Sequence, residues 1–222
     1  MDIKKAISHL NFFSNLSQDK IDNLSSISSL KNYSADCLLH YEKSQKSKLL
    51  FLIDGLAKAY KIDKHDNEIF LYHIDKNHLI SEISTIKNDF LISYSNIVFI
   101  EDSQILAIDY KLFKERFLNN GLLCLELASE VIRQSKLLQD LVNREFIFDS
   151  VAKVAMMIDS DLNIFNKLKR YDVSLMLHIQ PSTLSRVLKR LKHKGVIDIE
   201  RGEVTILDKS ELQKIYKGLV NE

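Results

Sequence analysis

Ser182, Thr183, Ser185 and Arg186 fall within five positions of one another, and Lys189, Arg190, Lys192 and Lys194 follow them. No acidic residue interrupts the run from Ser182 to Gly195. Hydroxyls and a guanidinium at this density are hydrogen-bond donors. An arginine fork matches two acceptors at once, as on the guanine edge, and lysines supply point charges for phosphates. A lysine-rich face is more often a solvated surface, so the chemistry depends on what holds these residues. Leu184, Val187, Leu188 and Leu191 recur at three- and four-residue spacing and predict one apolar helix face. Ser182, Ser185 and Arg186 fall on the opposite side. Pro181, the single proline, is pre-organised for a helix start, where Gln180, Ser182 or Thr183 could cap the first N–H groups.

The elements around this helix make the reading sharper. A short apolar helix precedes it, and Gly195 ends it. Residues 196–200 and 203–207 alternate around Arg201-Gly202, which predicts a hairpin. Short helix, break, cationic helix and hairpin is the order of a winged helix-turn-helix. Ser182, Thr183, Ser185 and Arg186 are then candidates for base edges. Lys189, Arg190, Lys192 and the hairpin's Arg201 are candidates for phosphates.

Net charge is +1 over 222 residues, so the chain has no global basic signal. Residues 149–222 hold 13 Lys+Arg against 10 Asp+Glu, and the remainder 18 against 20. The cationic excess therefore sits with the candidate helix. Cys37 and Cys124, far apart, are too few for a four-cysteine zinc or iron–sulfur site, and they do not resemble a secreted disulfide framework. No stretch is long and apolar enough for a membrane span or a signal peptide, so a cytoplasmic protein without a membrane partner is expected. No nucleophile elbow, P-loop, HExxH or CxxC motif is present, so no catalytic residues and no enzyme are expected.

Along the chain, residues 2–9 and 17–28 read as helices. From about residue 29 to 109, short apolar runs at 38–41, 49–53, 57–62, 68–74, 97–99 and 104–108 are separated by polar turns. They predict a small β-barrel or β-roll. Residues 110–118 read as a short helix and 122–143 as a long one. On the long helix, Cys124, Leu127, Val131, Gln134, Leu138 and Leu141 step by three and four, the pattern of a dimer seam. An amphipathic helix packed within one domain would show the same spacing.

The order β-roll, long helix, winged helix-turn-helix resembles the Crp/Fnr family of bacterial transcription regulators over nearly the whole chain. Residues 49–74 (LLFLIDGLAKAYKIDKHDNEIFLYHI) are similar to the family's paired β-roll strands around a turn glycine, and 100–117 to the segment entering the dimerisation helix. STLSRVLKRL, residues 182–191, resembles the family's recognition helix, with Ser185-Arg186 at two base-reading positions of Fnr-like members. Many members have a glutamate where this chain has Ser182, so the half-site should differ. The cyclic-nucleotide cassette corresponds to Ser81-Glu82 and Ile92-Ser93. Glu82 and Ser93 remain as candidate effector residues, but Ile92 replaces the phosphate-pairing arginine and Ser81 crowds a glycine position. The N-terminal cysteine cluster of the iron–sulfur subfamily is absent. Some relatives bind haem through histidine, and His9, His40, His65, His73 and His78 are the histidines available in the sensor half. Cys37 and Cys124 are candidates for redox sensing.

The expectation is an α+β chain: an N-terminal cyclic-nucleotide-binding-like β-roll with helices over residues 1–110, a short helix and dimerisation helix over 111–147, and a winged helix-turn-helix over 148–222. The resemblance implies a homodimeric, sequence-specific regulator that binds double-stranded DNA at an inverted repeat, works with RNA polymerase and senses a signal other than cyclic AMP. The alternative is a β-roll that binds a ligand or partner, with a winged domain that docks on protein.

Overall fold

The computed structural model describes residues 2–217, and the chain divides into two compact units, residues 1–138 and 139–222. In the first, helices α1 (Ile3–His9) and α2 (Gln18–Ser26) precede nine strands. These are β1 (Ser28–Tyr33), β2 (Leu38–His40), β3 (Gln45–Lys46), β4 (Lys48–Asp54), β5 (Leu56–Ile62), β6 (Glu68–Asp75), β7 (Leu91–Ile92), β8 (Asn96–Phe99) and β9 (Ser103–Asp109). They pair as β1-β9-β4, β2-β8-β5-β6 and β3-β7. Every described pairing is antiparallel. Helix α3 (Tyr110–Arg116) and the long α4 (Cys124–Phe146) follow.

The unbroken apolar run in β4 has a structural cause. Leu49, Phe51 and Ile53 face a core shared with α1, α3 and the start of α4, while Leu50 and Leu52 face a second core between the sheets. β9 divides in the same way, with Leu106 and Ile108 on one side and Ile105 and Ala107 on the other. Strands covered on both faces read as continuous rather than alternating hydrophobic segments. The predicted helix over 17–28 ends at Ser26, because Ser28–Tyr33 pairs with β9 from Ser28 opposite Ile108. That strand is mostly polar, with Leu30 packed against the first core, so its sequence gives little strand signal.

Helix α4 is bound to the sheet by polar as well as apolar contacts. Leu127 is buried in the first core, and Leu137 packs against the second. Gln134 donates to the carbonyls of Leu79 (3.4 Å) and Ser81 (3.1 Å). Glu130 accepts from Leu79 N–H at 3.4 Å and from Arg133 Nε at 3.0 Å, and it meets His78 Nδ1 at 3.4 Å. Burial pushes the Glu130 carboxyl up, but His78 and Arg133 together hold it below the usual carboxylate range.

The second unit contains α5 (Ser150–Ser160), α6 (Leu162–Lys167), α7 (Arg170–Met176), α8 (Pro181–His193), β10 (Ile197–Glu200), β11 (Glu203–Ile206) and α9 (Lys209–Lys217). Asp149 caps α5, accepting from Val151 N–H (3.0 Å) and Ala152 N–H (2.8 Å). α9 lies against α5, where Asp159 accepts from Gln213 Nε2 at 2.9 Å and from the Tyr216 hydroxyl.

Two stability predictions follow from the first unit. Gly55 has φ +96°, and an added Cβ would lie 2.1 Å from Ser103 Oγ and 2.7 Å from the Asp102 carbonyl. Gly55→Ala should cost on the order of 3 kcal/mol, read by urea denaturation. His40 in β2 is 5% exposed, and its Nδ1 has no hydrogen-bond partner among the described residues. Burial, with Lys46 adding to it, lowers its pKa from 6.5 to about 4. The unfolded imidazole thus takes up a proton that the folded one refuses. Stability should fall as pH drops from 6.5 towards 4 and level off below that, and His40→Gln should flatten that slope in pH-dependent melting curves.

Candidate nucleic-acid interface

The candidate residues stand on α8, and their positions follow from how α8 is held. Leu184, Val187, Leu188 and Leu191 are buried on one side of the helix. α7 and α5 pack against it, and Val173, Met176, Leu177, Ala155 and Ile158 add to the buried interior of the unit. Pro181 takes the first helical position, as the sequence predicts, but Gln180 is the cap residue and makes no side-chain cap bond. The turn before it carries His178 at φ +50°, the left-handed region that lets α7 give way to α8 in a few residues.

With this side buried, Ser182, Ser185, Arg186, Lys189 and Arg190 are exposed and Thr183 is half-buried. Ser182 and Arg186 are one turn apart, and the guanidinium folds back on the serine. Arg186 Nε donates to the Ser182 carbonyl at 3.3 Å and Nη2 to Ser182 Oγ at 3.5 Å. Such long contacts are weak. Arg190 turns away from this group. With Lys194 it borders a depression of about 260 Å3, also lined by Asp149, Val151, Leu191 and Ile215.

Lys192, a phosphate candidate in the sequence, is engaged within its own domain. Its Nζ lies 2.6 Å from Asp198 Oδ1 and 3.0 Å from the Ile199 carbonyl, so it ties α8 to β10. Two residues that the sequence analysis does not single out hold the hairpin from the other side. The Asn166 side-chain amide pairs with Val204 in both directions, each bond 2.9 Å, as a neighbouring strand would. Arg170 sits 4.4 Å over the Phe165 ring and donates to the carbonyls of Phe165 (2.8 Å) and Gly202 (2.5 Å). Neither has a motif, because each acts through backbone atoms distant in sequence. At the tip, Arg201 (φ +49°) and Gly202 (φ +90°) make the primed turn expected of a tight hairpin. Arg201 is exposed between Glu200 and Glu203.

The predicted seam on α4 is only partly open. Cys124, Val131 and Leu138 are exposed, whereas Leu127 lies in the chain's own core, Gln134 bonds to its own sheet and Leu141 is half-buried. The apolar stripe facing outward is offset around the helix: Leu125 (81% exposed), Val131 (40%), Ile132 (68%) and Leu138 (46%), with the small Ala128 and Ser135 along its middle.

In the first unit, Glu82 is engaged by its own chain, accepting from Tyr72, Tyr94 and Ser95. Ser81 Oγ, in the glycine position, accepts from Leu50 N–H at 2.9 Å. Ser93 is buried, its backbone paired with Lys43 and Ser44. His9 and His65 are exposed, His73 lies edge-on to Phe70 and His78 meets Glu130. Cys37 is half-buried. Among the described residues there is no cluster of three His, Cys, Asp or Glu side chains able to hold a metal, and no helix is long and apolar enough to cross a membrane.

A family model described as a Crp-like helix-turn-helix domain matches residues 151–215. No curated protein sequence matches the chain. Among solved structures, FixK2 from Bradyrhizobium japonicum aligns with TM-score 0.72 at 12% identity, covering 86% of this chain and 98% of its own. A CooA variant from Carboxydothermus hydrogenoformans gives 0.69 at 16% identity, covering 85% and 88%. A transcriptional regulator of the Crp/Fnr family from Eubacterium rectale gives 0.65 at 14% identity, covering 95% and 99%. Residues 151–215 are therefore a Crp-like helix-turn-helix domain, carried on a chain with the fold of the Crp/Fnr transcription regulators.

Proposed function

We propose that the chain is a homodimeric, sequence-specific DNA-binding transcription regulator whose signal is not cyclic AMP. The exposed, acid-free face of α8, with Ser182, Ser185, Arg186 and Lys189 on a helix whose other side is buried, carries this reading. A winged domain that docks on protein would have no need of a cationic helix cleared of acids. The outward stripe of α4 supports pairing with a second copy. Ala128 and Ser135 are seven residues apart and small, which suits close approach of two helices, and Leu125, Ile132, Val131 and Leu138 flank them. Two helix-turn-helix units on a two-fold axis imply an inverted repeat with half-sites about one helical turn apart. RNA polymerase as a further partner, and a cytoplasmic location, belong to the same reading.

Selection from random DNA tests the assignment. The wild type should yield a palindromic motif. Arg186→Ala should lose about 1–3 kcal/mol at that site and relax one base pair per half-site. Lys189→Ala should weaken binding to all sequences and flatten the salt dependence. A selected motif that Arg186→Ala leaves unchanged would remove α8 from base recognition.

The seam has its own test. Ile132→Glu and Leu138→Glu should give folded monomers, because a charge desolvated in the seam without a partner costs about 3 kcal/mol or more. Leu127→Glu should unfold the first unit instead, since Leu127 is buried in the chain's own core. Light scattering and circular dichroism separate the two effects. A Leu138→Glu protein that stays dimeric would argue against the stripe.

Cyclic AMP should not bind at micromolar concentration in calorimetry. Ile92 offers the phosphate no charge, a loss of about 3 kcal/mol or roughly a hundredfold. A micromolar dissociation constant coupled to DNA affinity would refute this.

A further inference from the structure

Between β6 and β8, where β7 pairs with β3 and Lys114 and Tyr110 bind residues 85–89, one carboxylate gathers four donors. Glu82 Oε2 accepts from the backbone N–H groups of Tyr94 (2.5 Å) and Ser95 (3.2 Å). Its Oε1 accepts from the Tyr72 hydroxyl (3.1 Å) and from Ser95 Oγ (3.0 Å). Two consecutive amides aimed at one point, with two hydroxyls beside them, form an anion nest. The hydroxyls have little recourse to water, since Ser95 is fully buried and Tyr72 is 7% exposed. Burial, and then the charge of Glu82, push the Tyr72 phenol far above its ordinary value, so it stays a protonated donor. Arg133, the nearby cation on α4, is committed to Glu130 at 3.0 Å.

We propose that the sensor unit contains a small-oxyanion site that the chain's own Glu82 carboxylate fills, so that the segment from residue 82 to 95 is held closed by a tethered anion. All four donors are used by a group attached to the chain. A diffusible carboxylate must compete with one whose effective concentration is set by a two-methylene tether. The closed arrangement therefore needs no external ligand. Removing the tethered group uncovers the nest: Glu82→Ala deletes a fragment of the size and charge of acetate, and acetate can bind in its place.

The test uses the full-length protein and acetate, with chloride at matched ionic strength as control, and reads melting temperature and amide hydrogen exchange. The wild type should be equally stable in both salts, with the amides of Tyr94 and Ser95 protected. Glu82→Ala should melt lower in chloride and expose those two amides. Acetate should restore stability along a saturable curve and protect the same two amides again. Adding Ser95→Ala, which removes the hydroxyl donor, should weaken that rescue. Glu82→Gln fills the space with an amide whose NH2 group faces donors, so it should be destabilised and indifferent to acetate. If Glu82→Ala does not fold in chloride, its refolding yield is compared in the two salts, and recovery confined to acetate supports the site. Three outcomes overturn the proposal: Glu82→Ala as stable as wild type, no rescue, or equal rescue by chloride. These readouts involve no DNA, so they stand or fall separately from the regulator reading.

Discussion

Helix α4 can cover the sheets with only one side, and the division of its faces governs the first unit. The inward side is fixed by hydrogen bonds as well as by apolar burial. The Gln134 amide meets the Leu79 and Ser81 carbonyls, and Glu130 meets the Leu79 amide. These backbone groups lie just after β6, in a segment that pairs with β4 through Asn77, His78 and Ile80, while the Leu79 N–H and C=O are met by α4. Leaving a buried carbonyl or amide unpaired costs about 1–3 kcal/mol each. Rolling the helix would forfeit the 3.1 Å bond to Ser81 and the longer ones to Leu79, and would withdraw Leu127 from the core. The outward face is therefore the one with Leu125, Val131, Ile132 and Leu138, the apolar stripe that we propose pairs with a second copy.

The same fastening organises the sensor side. Ser81 joins two elements: its carbonyl accepts from Gln134 of α4 and its hydroxyl accepts from the Leu50 amide of β4. A residue that looks like an intrusion in a ligand cassette is thus a structural link between α4 and the sheet. Glu82, next in sequence, spends its carboxylate on Tyr72, Tyr94 and Ser95. Side chains bonded to one another in this way agree with the reading proposed above, in which the signal is not cyclic AMP.

Much of this was legible in the residues, and the failures have physical causes. The helix over 181–193 and the hairpin after it carry strong local signals: an N-terminal proline, a three-four apolar repeat and a primed turn at Arg201-Gly202. The face of α4 was not legible. Leu127, Gln134 and Leu141 and the neighbouring Val131 and Leu138 all satisfy three-four spacing, so periodicity permits more than one stripe. Burial separates them through contacts to Leu79 and Ser81, more than fifty residues earlier in the chain. β1 was missed because its partner, β9, lies over seventy residues away. Helix α9 was missed as well, although Asp208 caps it by accepting from Glu211 N–H at 2.9 Å; its attachment runs through Gln213 and Tyr216 to Asp159, more than fifty residues earlier in the chain.

The cations of α8 also differ in what they would give up on meeting a nucleic acid. Lys192 would have to leave Asp198 at 2.6 Å and the Ile199 carbonyl, and with them the attachment of β10 to the helix. Arg186 would give up two contacts of 3.3 and 3.5 Å to Ser182, which water or a base edge can replace at little cost. A glutamate at position 182 would have held the arginine by charge and itself accepted from cytosine. A serine holds it weakly and leaves the fork free, which makes Arg186 the residue on which discrimination by this helix should turn.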